Sequence, residues 1–265
     1  MDIPADDREL RIALHGPICP QLLREDAIVT VADGWYKVRT PSSGWAADNE
    51  ILFSRLGEQD CDAEIDAVLT EYRGRGGSVR WSVYPWTRPR DLGERLVARG
   101  ASHYGVQAMV ADTDLPLQMV EGAVIERVDP HSRRSFEDYL EVVASGSRLP
   151  ADEVDFRRRR YWELIQGANP GLHLFVARHR GAAAGCGAFI VKDDSAYMTG
   201  DFIKPEYQAR GLFQSLHAAR LQALRELGIT LASGHARVDT SAPWLRRFGH
   251  RIKFNYGMYT FPAPQ

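Results

Sequence analysis

The chain contains few cysteines, no long apolar run and no excess of charge of either sign. Its three cysteines, Cys19, Cys61 and Cys186, lie far apart and form no CxxC pair. This argues against a disulfide framework and a zinc site, so we expect no metal and a reducing, cytoplasmic location. No stretch approaches the roughly 20 apolar residues that span a bilayer. The acidic start, Met1 to Asp7, lacks the basic and apolar regions of a signal peptide, so we expect no membrane contact.

The charges are nearly balanced, with 33 Lys and Arg against 35 Asp and Glu. A chain without a basic excess cannot release many counterions, so nucleic acid is not an expected partner unless a local basic run binds it. Apolar residues make up 44% and charged residues 26% of the 265 residues, which is typical of a globular protein. This length can bury one large core or two ordinary ones. We expect a monomer or a homodimer.

Residues 1–116 are predicted to form a first, smaller α/β half, and residues 121–265 a second one. In the first half the pattern favours helices at 22–31, 63–72 and 90–99, and strands at 35–38, 51–53, 79–84 and 106–110. Residues 112–116 are polar and end in Pro116, which is typical of a linker.

The second half has a regular order of predicted elements. Strands are expected at 124–128, 172–178, 182–192, 196–203 and 229–232, with a final strand pair between 252 and 261. Helices are expected at 132–143, 153–166, 212–227 and 242–248. This order, β-α-α-β-β-β-α-β-α-β-β, predicts an α/β (mixed α+β) domain with a mixed sheet flanked by helices.

The loop from Pro205 to Phe213 carries the clearest chemical signal. It joins a strand to the N-terminus of the strongest predicted helix, where unpaired N–H groups and a partial positive charge attract anions. Gly211 lets the backbone approach a ligand closely, and Arg210 offers charge-assisted contact to a phosphate. A plain strand-to-helix turn is the alternative interpretation of the same residues.

This loop resembles the pyrophosphate loop of the GNAT superfamily of N-acetyltransferases, Gln/Arg-x-x-Gly-x-Gly/Ala. Gln208, Gly211 and Phe213 occupy the three marked positions, although Phe213 replaces a small residue. The element order is that of the family, and the segment from Thr240 to His250 is similar to its usual ending. Residues 1–116 resemble the degenerate N-terminal half of tandem GNAT proteins, which lacks a pyrophosphate loop and is expected to shape the acceptor site.

The resemblance implies a partly splayed sheet with acetyl-CoA, or another acyl-CoA, in the gap as co-substrate. The acceptor would be the amine of a small molecule, attacked directly and without a metal. The residues implied in cofactor binding are Phe202, Ile203, Gln208, Ala209, Arg210, Gly211, Leu212, Phe213 and Asp239.

Two residues are candidates for proton transfer. Family members often use a tyrosine as general acid at the position that Leu245 holds here. Asp201, on the strand that lines the gap, is a candidate base because burial would raise its pKa. His235, expected just after the next strand, is the second candidate. The alternatives are a carboxylate paired with an arginine for Asp201 and an exposed loop histidine for His235.

The run Arg157–Arg160 leaves two further functions open. On a helix it would be a solvated face whose aliphatic stems cover the core, or it would contact an acidic acceptor or nucleic acid. The second possibility would suit a transferase that takes its acyl group from aminoacyl-tRNA. A CoA-binding sensor or scaffold without turnover is the other alternative, because Leu245 and Phe213 both depart from the family pattern.

Overall fold

The computed structural model describes residues 7–32, 34–74, 76–167 and 171–263. The ends of the two predicted halves, residues 1–6 and 264–265, therefore lie outside the described residues.

The helices and strands alternate along the chain. The first part contains α1 (Arg8–His15), β1 (Ile28–Ala32), β2 (Trp35–Arg39), β3 (Glu50–Phe53), α2 (Cys61–Arg73), β4 (Val79–Val83), α3 (Leu92–Ala98) and β5 (Ser102–Asp112). The second part contains β6 (Val124–Arg127), α4 (Arg133–Ser147), α5 (Ala151–Gln166), β7 (Leu172–His179), β8 (Ala182–Val191), β9 (Ala196–Ile203), α6 (Leu212–Glu226), β10 (Leu231–Arg237), α7 (Ala242–Arg247) and β11 (Arg251–Phe261).

All of these strands belong to one mixed sheet. Their order is β1-β2-β3-β4-β11-β5-β10-β9-β8-β7-β6, so the C-terminal strand β11 lies between two strands of the first half. The pairs β3–β4 and β9–β10 are parallel, and the other neighbours are antiparallel. The predicted mixed sheet flanked by helices is confirmed, whereas the division into residues 1–116 and 121–265 stays a prediction.

Helices cover both faces of the sheet around the strands that matter here. Cys186, Ala188 and Ile190 of β8 pack with α4 and α5 in one apolar cluster, while Phe189 of the same strand packs with α6 in another. Successive side chains of a strand point to opposite faces, which explains this alternation. Among the described helices, none has the length and apolar character needed to cross a membrane.

Three element predictions were wrong. The region 22–31 is not helical, because the β-branched run Ile28–Val31 forms most of the edge strand β1. The expected strand pair near the C-terminus is the single strand β11, bent by a register shift between Ile252 and Phe254. β10 begins two residues later than expected and continues to Arg237, which places His235 inside the strand.

Candidate active site

β9 and β10 run parallel and separate partway along their length. They pair only where residues 196–198 meet residues 232–234. Beyond these pairs, residues 199–203 have no strand partner on the β10 side, so their backbone polar groups on that edge are open to another partner. The splayed gap that the family resemblance implied is present.

A β-bulge in β9 lies at the same point. The register between β8 and β9 shifts so that Gly200 and Asp201 together face Gly187. Gly200 has a φ of +70°, a conformation that glycine adopts without steric cost. A bulge of this kind bends its strand and redirects the side chain that follows. The bulge therefore accounts for the departure of β9 from β10 and for the direction of Asp201.

The loop before α6 leads into an uncapped helix N-terminus. Gly211 has a φ of +73°, no side chain caps the helix, and its first turn contains no acidic residue. The first N–H groups of a helix have no intrahelical acceptor, so they are free to bind an anion here. The Gln208 amide donates a hydrogen bond to the Ile203 carbonyl at 3.2 Å, which ties the loop to the end of β9.

Phe213 does not compete with a ligand for this space through its ring stacking. Its ring lies 5.7 Å from that of Phe248, just after α7, and belongs with Leu245 to a small apolar cluster. The large residue at the third loop position is thus accommodated by apolar contacts.

The splayed strands, the loop and α7 enclose a cleft of about 1070 Å³. This lies at the upper end of the roughly 300–1,000 Å³ typical of ligand pockets. Many of the residues implied in cofactor binding line it, namely Phe202, Ile203, Gln208, Ala209, Gly211, Leu212 and Phe213. Arg210 is exposed and does not line this cleft, and Asp239 pairs with Arg237 outside it.

Asp201 lines the cleft and is paired with a buried arginine. Its Oδ1 lies 2.5 Å from a terminal nitrogen of Arg220, whose side chain is 0% exposed, while that of Asp201 is 24% exposed. Burial raises the pKa of Asp201, and Arg220 acts in the opposite direction. Arg220 also donates to the Ala188 carbonyl. This geometry is the carboxylate–arginine pair that was the alternative to a catalytic base.

Gly187 makes room for that ion pair. A Cβ at this position would lie 2.7 Å from Oδ1 of Asp201 and 3.1 Å from the guanidinium carbon of Arg220. The glycine opposite the bulge is therefore required by the close approach of the two charged groups.

His235 lines the cleft from β10 and is hydrogen-bonded at both ring nitrogens. Nε2 lies 2.8 Å from the Ala13 carbonyl and Nδ1 lies 2.9 Å from the Tyr256 hydroxyl. Because a carbonyl only accepts, Nε2 carries the proton and Nδ1 accepts from the tyrosine. Burial lowers the pKa of His235 to about 4, so the ring is neutral near pH 7. His235 is thus neither exposed nor in a loop.

A second pair of histidines lies farther along the cleft wall. Nε2 of His217 and Nε2 of His250 are 2.7 Å apart, and Arg220 approaches Nδ1 of His217 at 3.4 Å. Burial lowers the pKa of both rings, that of His250 to about 3. Sequence inspection missed this network, because Arg220 and His217 are polar residues on the buried face of an amphipathic helix.

Leu245 occupies the place that the resemblance assigned to a tyrosine acid. It is 7% exposed and lines the cleft from α7. Its side chain carries no proton donor, and the neighbouring Ser241 supplies a hydroxyl to the same wall.

Comparison with known families identifies the domain that carries this cleft. Residues 136–249 match the model of the acetyltransferase (GNAT) family. These residues are a GNAT acetyltransferase domain. They include β9, β10, the loop and α7, which are the elements that form the cleft. No curated protein sequence matches the chain.

Solved structures of the same fold extend over nearly the whole chain. A GCN5-related N-acetyltransferase from Kribbella flavida superposes with a TM-score of 0.68 at 15% identity, covering 98% of both chains. A tandem GNAT protein from the clavulanic acid biosynthesis pathway gives 0.59 at 13% identity, covering 98% of this chain and 97% of that one. A conserved protein of unknown function from Staphylococcus epidermidis gives 0.73 at 14% identity, covering 91% and 96%. At these identities the likeness shows a common fold.

Proposed function

We propose that this protein is an N-acyltransferase that moves an acetyl group from acetyl-CoA to the amine of a small molecule. The observation that carries the proposal is the cleft between β9 and β10, which opens onto the uncapped N-terminus of α6. The GNAT domain supports this chemistry in general, and the cleft supports the choice of an acyl-CoA.

The residues of the cleft suit the parts of such a ligand. Backbone groups along 199–203 would bond the amides of a pantetheine arm, as an added strand would. N–H groups from Gly211 to Gln214 would hold a pyrophosphate, and the absence of an acidic residue in this turn leaves the positive end of the helix unopposed.

The transfer itself is balanced without a metal or a redox partner. A neutral amine attacks the thioester carbonyl carbon, a C–N bond forms, and the C–S bond breaks. The CoA thiolate leaves with the electron pair, and the nitrogen loses one proton. The thiolate can leave unassisted, since thiol pKa values are about 8–9.

The two predicted proton acceptors have unequal support. Asp201 is engaged by Arg220, so we assign it a positioning role at the bulge. His235 remains near the separation point of the strands, but a pKa of about 4 makes it a weak base at neutral pH. We therefore attribute most of the rate to approximation of the amine and the thioester, with the proton passing to water in the cleft.

The test is release of free CoA, measured with a thiol reagent, from acetyl-CoA and a panel of small amines. Mass spectrometry of the amine should show addition of one acetyl group, and acetyl-CoA should raise the melting temperature, because it binds only the native state. A melting shift without CoA release would favour the sensor alternative. Neither effect would refute the proposal's two parts together, so absence of both refutes it.

The alternative of an aminoacyl-tRNA donor has little support from the arginine run. Arg157 pairs with Glu153, Arg158 with Glu137 and Asp155, and Arg160 donates to the Gln21 carbonyl. Charges that are neutralised within the protein contribute little to a cationic surface for nucleic acid.

A further inference from the structure

A second cavity, of about 210 Å³, adjoins the acyl-CoA cleft. Three residues of β9, Tyr197, Thr199 and Gly200, line both spaces. These residues lie where β9 leaves β10, so a molecule in the second cavity would face the deep end of the cleft. The volume is below the roughly 300–1,000 Å³ of sites for drug-sized ligands, which suits a compact molecule.

Both parts of the chain build this cavity. The first part contributes apolar and charged side chains, among them Asp48, Glu50 and Arg80, and α5 contributes Glu153 and Arg157. Such a mixture of buried charges in a small space is costly unless each charge has a partner.

The carboxylates of this cavity are largely occupied. Glu153, 2% exposed, receives Arg157 on one oxygen at 2.7 Å and Arg24 on the other at 2.8 Å. Arg24 and the Ser43 hydroxyl both bond the same oxygen of Asp48.

The arginines, in contrast, keep N–H groups to spare. Arg157 is 17% exposed, and only its Nε is bonded within the described part of the chain. Arg80 uses one terminal nitrogen for Glu50 at 2.6 Å, and its buried Nε has no partner. A guanidinium with both terminal nitrogens open can bind a carboxylate in a bidentate fashion.

Arg157 lies close to the junction of the two spaces. Its guanidinium is 5.6 Å from the ring centroid of Tyr161. Tyr139, which lines the same cavity, places its hydroxyl 3.2 Å from the position of a Cβ on Gly200. A ligand held by Arg157 would therefore extend toward the bulge, where the acyl group would lie.

We propose that the acceptor is a compact amino acid, or another small molecule bearing both an amine and a carboxylate, and that Arg157 binds its carboxylate. This inference rests on the proposed function. The amine lies toward Thr199 and Gly200, and the free oxygen of Glu50 favours its entry as an ammonium ion. After loss of a proton to water, the nitrogen attacks the thioester, and the products are the N-acetyl amino acid and CoA.

The experiment compares amino acids with their carboxamides, which keep the same amine and side chain and lack the negative charge. At saturating acetyl-CoA, kcat/KM from CoA release should be about 10- to 100-fold higher for the acid, the value of a charge-assisted hydrogen bond. Arg157→Gln should abolish this preference mainly through KM, and Arg157→Lys should restore part of it. Arg159→Gln, an exposed neighbour on the same helix, is the matched control and should keep the preference.

Calorimetric titration with acetyl-CoA separates the two claims. If the wild type binds acetyl-CoA and acetylates carboxamides or simple amines as well as it does the acids, the inference is overturned while the proposed function stands. Failure of every carboxylate-bearing amine in a protein that acetylates other amines has the same meaning. If the wild type does not bind acetyl-CoA, the proposed function falls and the inference with it. Should Arg157→Gln fail to fold, the wild-type comparison decides alone.

Discussion

At the scale of single residues, the site depends on close contacts that a sequence shows only indirectly. A fully buried Arg220 is balanced by Asp201, and this pair exists because Gly187 lacks a side chain. The sequence indicated close packing around Gly187, since glycine within a strand marks a bulge or a close approach. It could not show which groups approach, because the partners come from a neighbouring strand and from a helix.

Gly187→Ala should destabilise the protein by about 1–3 kcal/mol, the usual cost of overpacking a buried site. The added Cβ would lie 2.7 Å from the Asp201 carboxylate. Urea unfolding of this variant should be compared with that of Gly57→Ala, where no atom lies within 4 Å of the new Cβ. Equal midpoints for the two variants would mean that the ion pair does not need the glycine.

Asp201→Asn should reduce stability by roughly 3 kcal/mol, because it leaves the buried charge of Arg220 without its partner. The double variant Asp201→Asn, Arg220→Met should recover part of this loss. Unfolding free energies of both proteins test the positioning role. A stable Asp201→Asn whose kcat falls about 100-fold would instead identify Asp201 as the general base.

His235 should make stability depend on pH. Its folded pKa of about 4 lies below the ordinary value of 6.5, so the neutral form is favoured in the native state. The stabilisation is complete above pH 6.5 and is lost as the pH falls toward 4, by roughly 3 kcal/mol for this residue. Urea unfolding of His235→Gln between pH 7 and 4 should show a shallower loss than the wild type. The exposed His131→Gln is the control and should follow the wild type.

At the scale of elements, periodicity and turn residues located α6, β9 and the loop between them. The same reasoning ended β10 too early, since Gly234 and His235 do not continue an apolar pattern. It also divided β11, because Asn255 and Gly257 are typical of turns yet here lie in a strand held between β4 and β5. Pairing between strands distant in sequence overrode these local preferences.

The loop before α6 offers a substitution that changes charge without strain. Ala209 lines the cleft with a φ of +58°, and Asp and Asn tolerate this left-handed conformation. Ala209→Asp should weaken acetyl-CoA binding about tenfold or more through repulsion of the pyrophosphate. Ala209→Asn has nearly the same shape and no charge, so it should bind as the wild type does. Calorimetric affinities that are equal for the two variants would contradict an anion site at this loop.

At the scale of the whole molecule, the predicted cofactor half and the predicted acceptor half meet in one sheet. β11 pairs with β4 and β5, and the second cavity takes charged residues from both parts of the chain. The family resemblance anticipated the cleft, because its loop and element order are local in the sequence. The charged cavity could not be anticipated, since Glu50, Arg80 and Arg157 converge only through the tertiary fold.

The most direct test of the central claim is a crystal structure of the protein with acetyl-CoA. We expect the pantetheine arm along residues 199–203 and the pyrophosphate at the N–H groups from Gly211 to Gln214, with the acetyl group beside Thr199 and Gly200. Acetyl-CoA bound within residues 1–116, or bound elsewhere while the cleft between β9 and β10 stays free of it, would contradict the account.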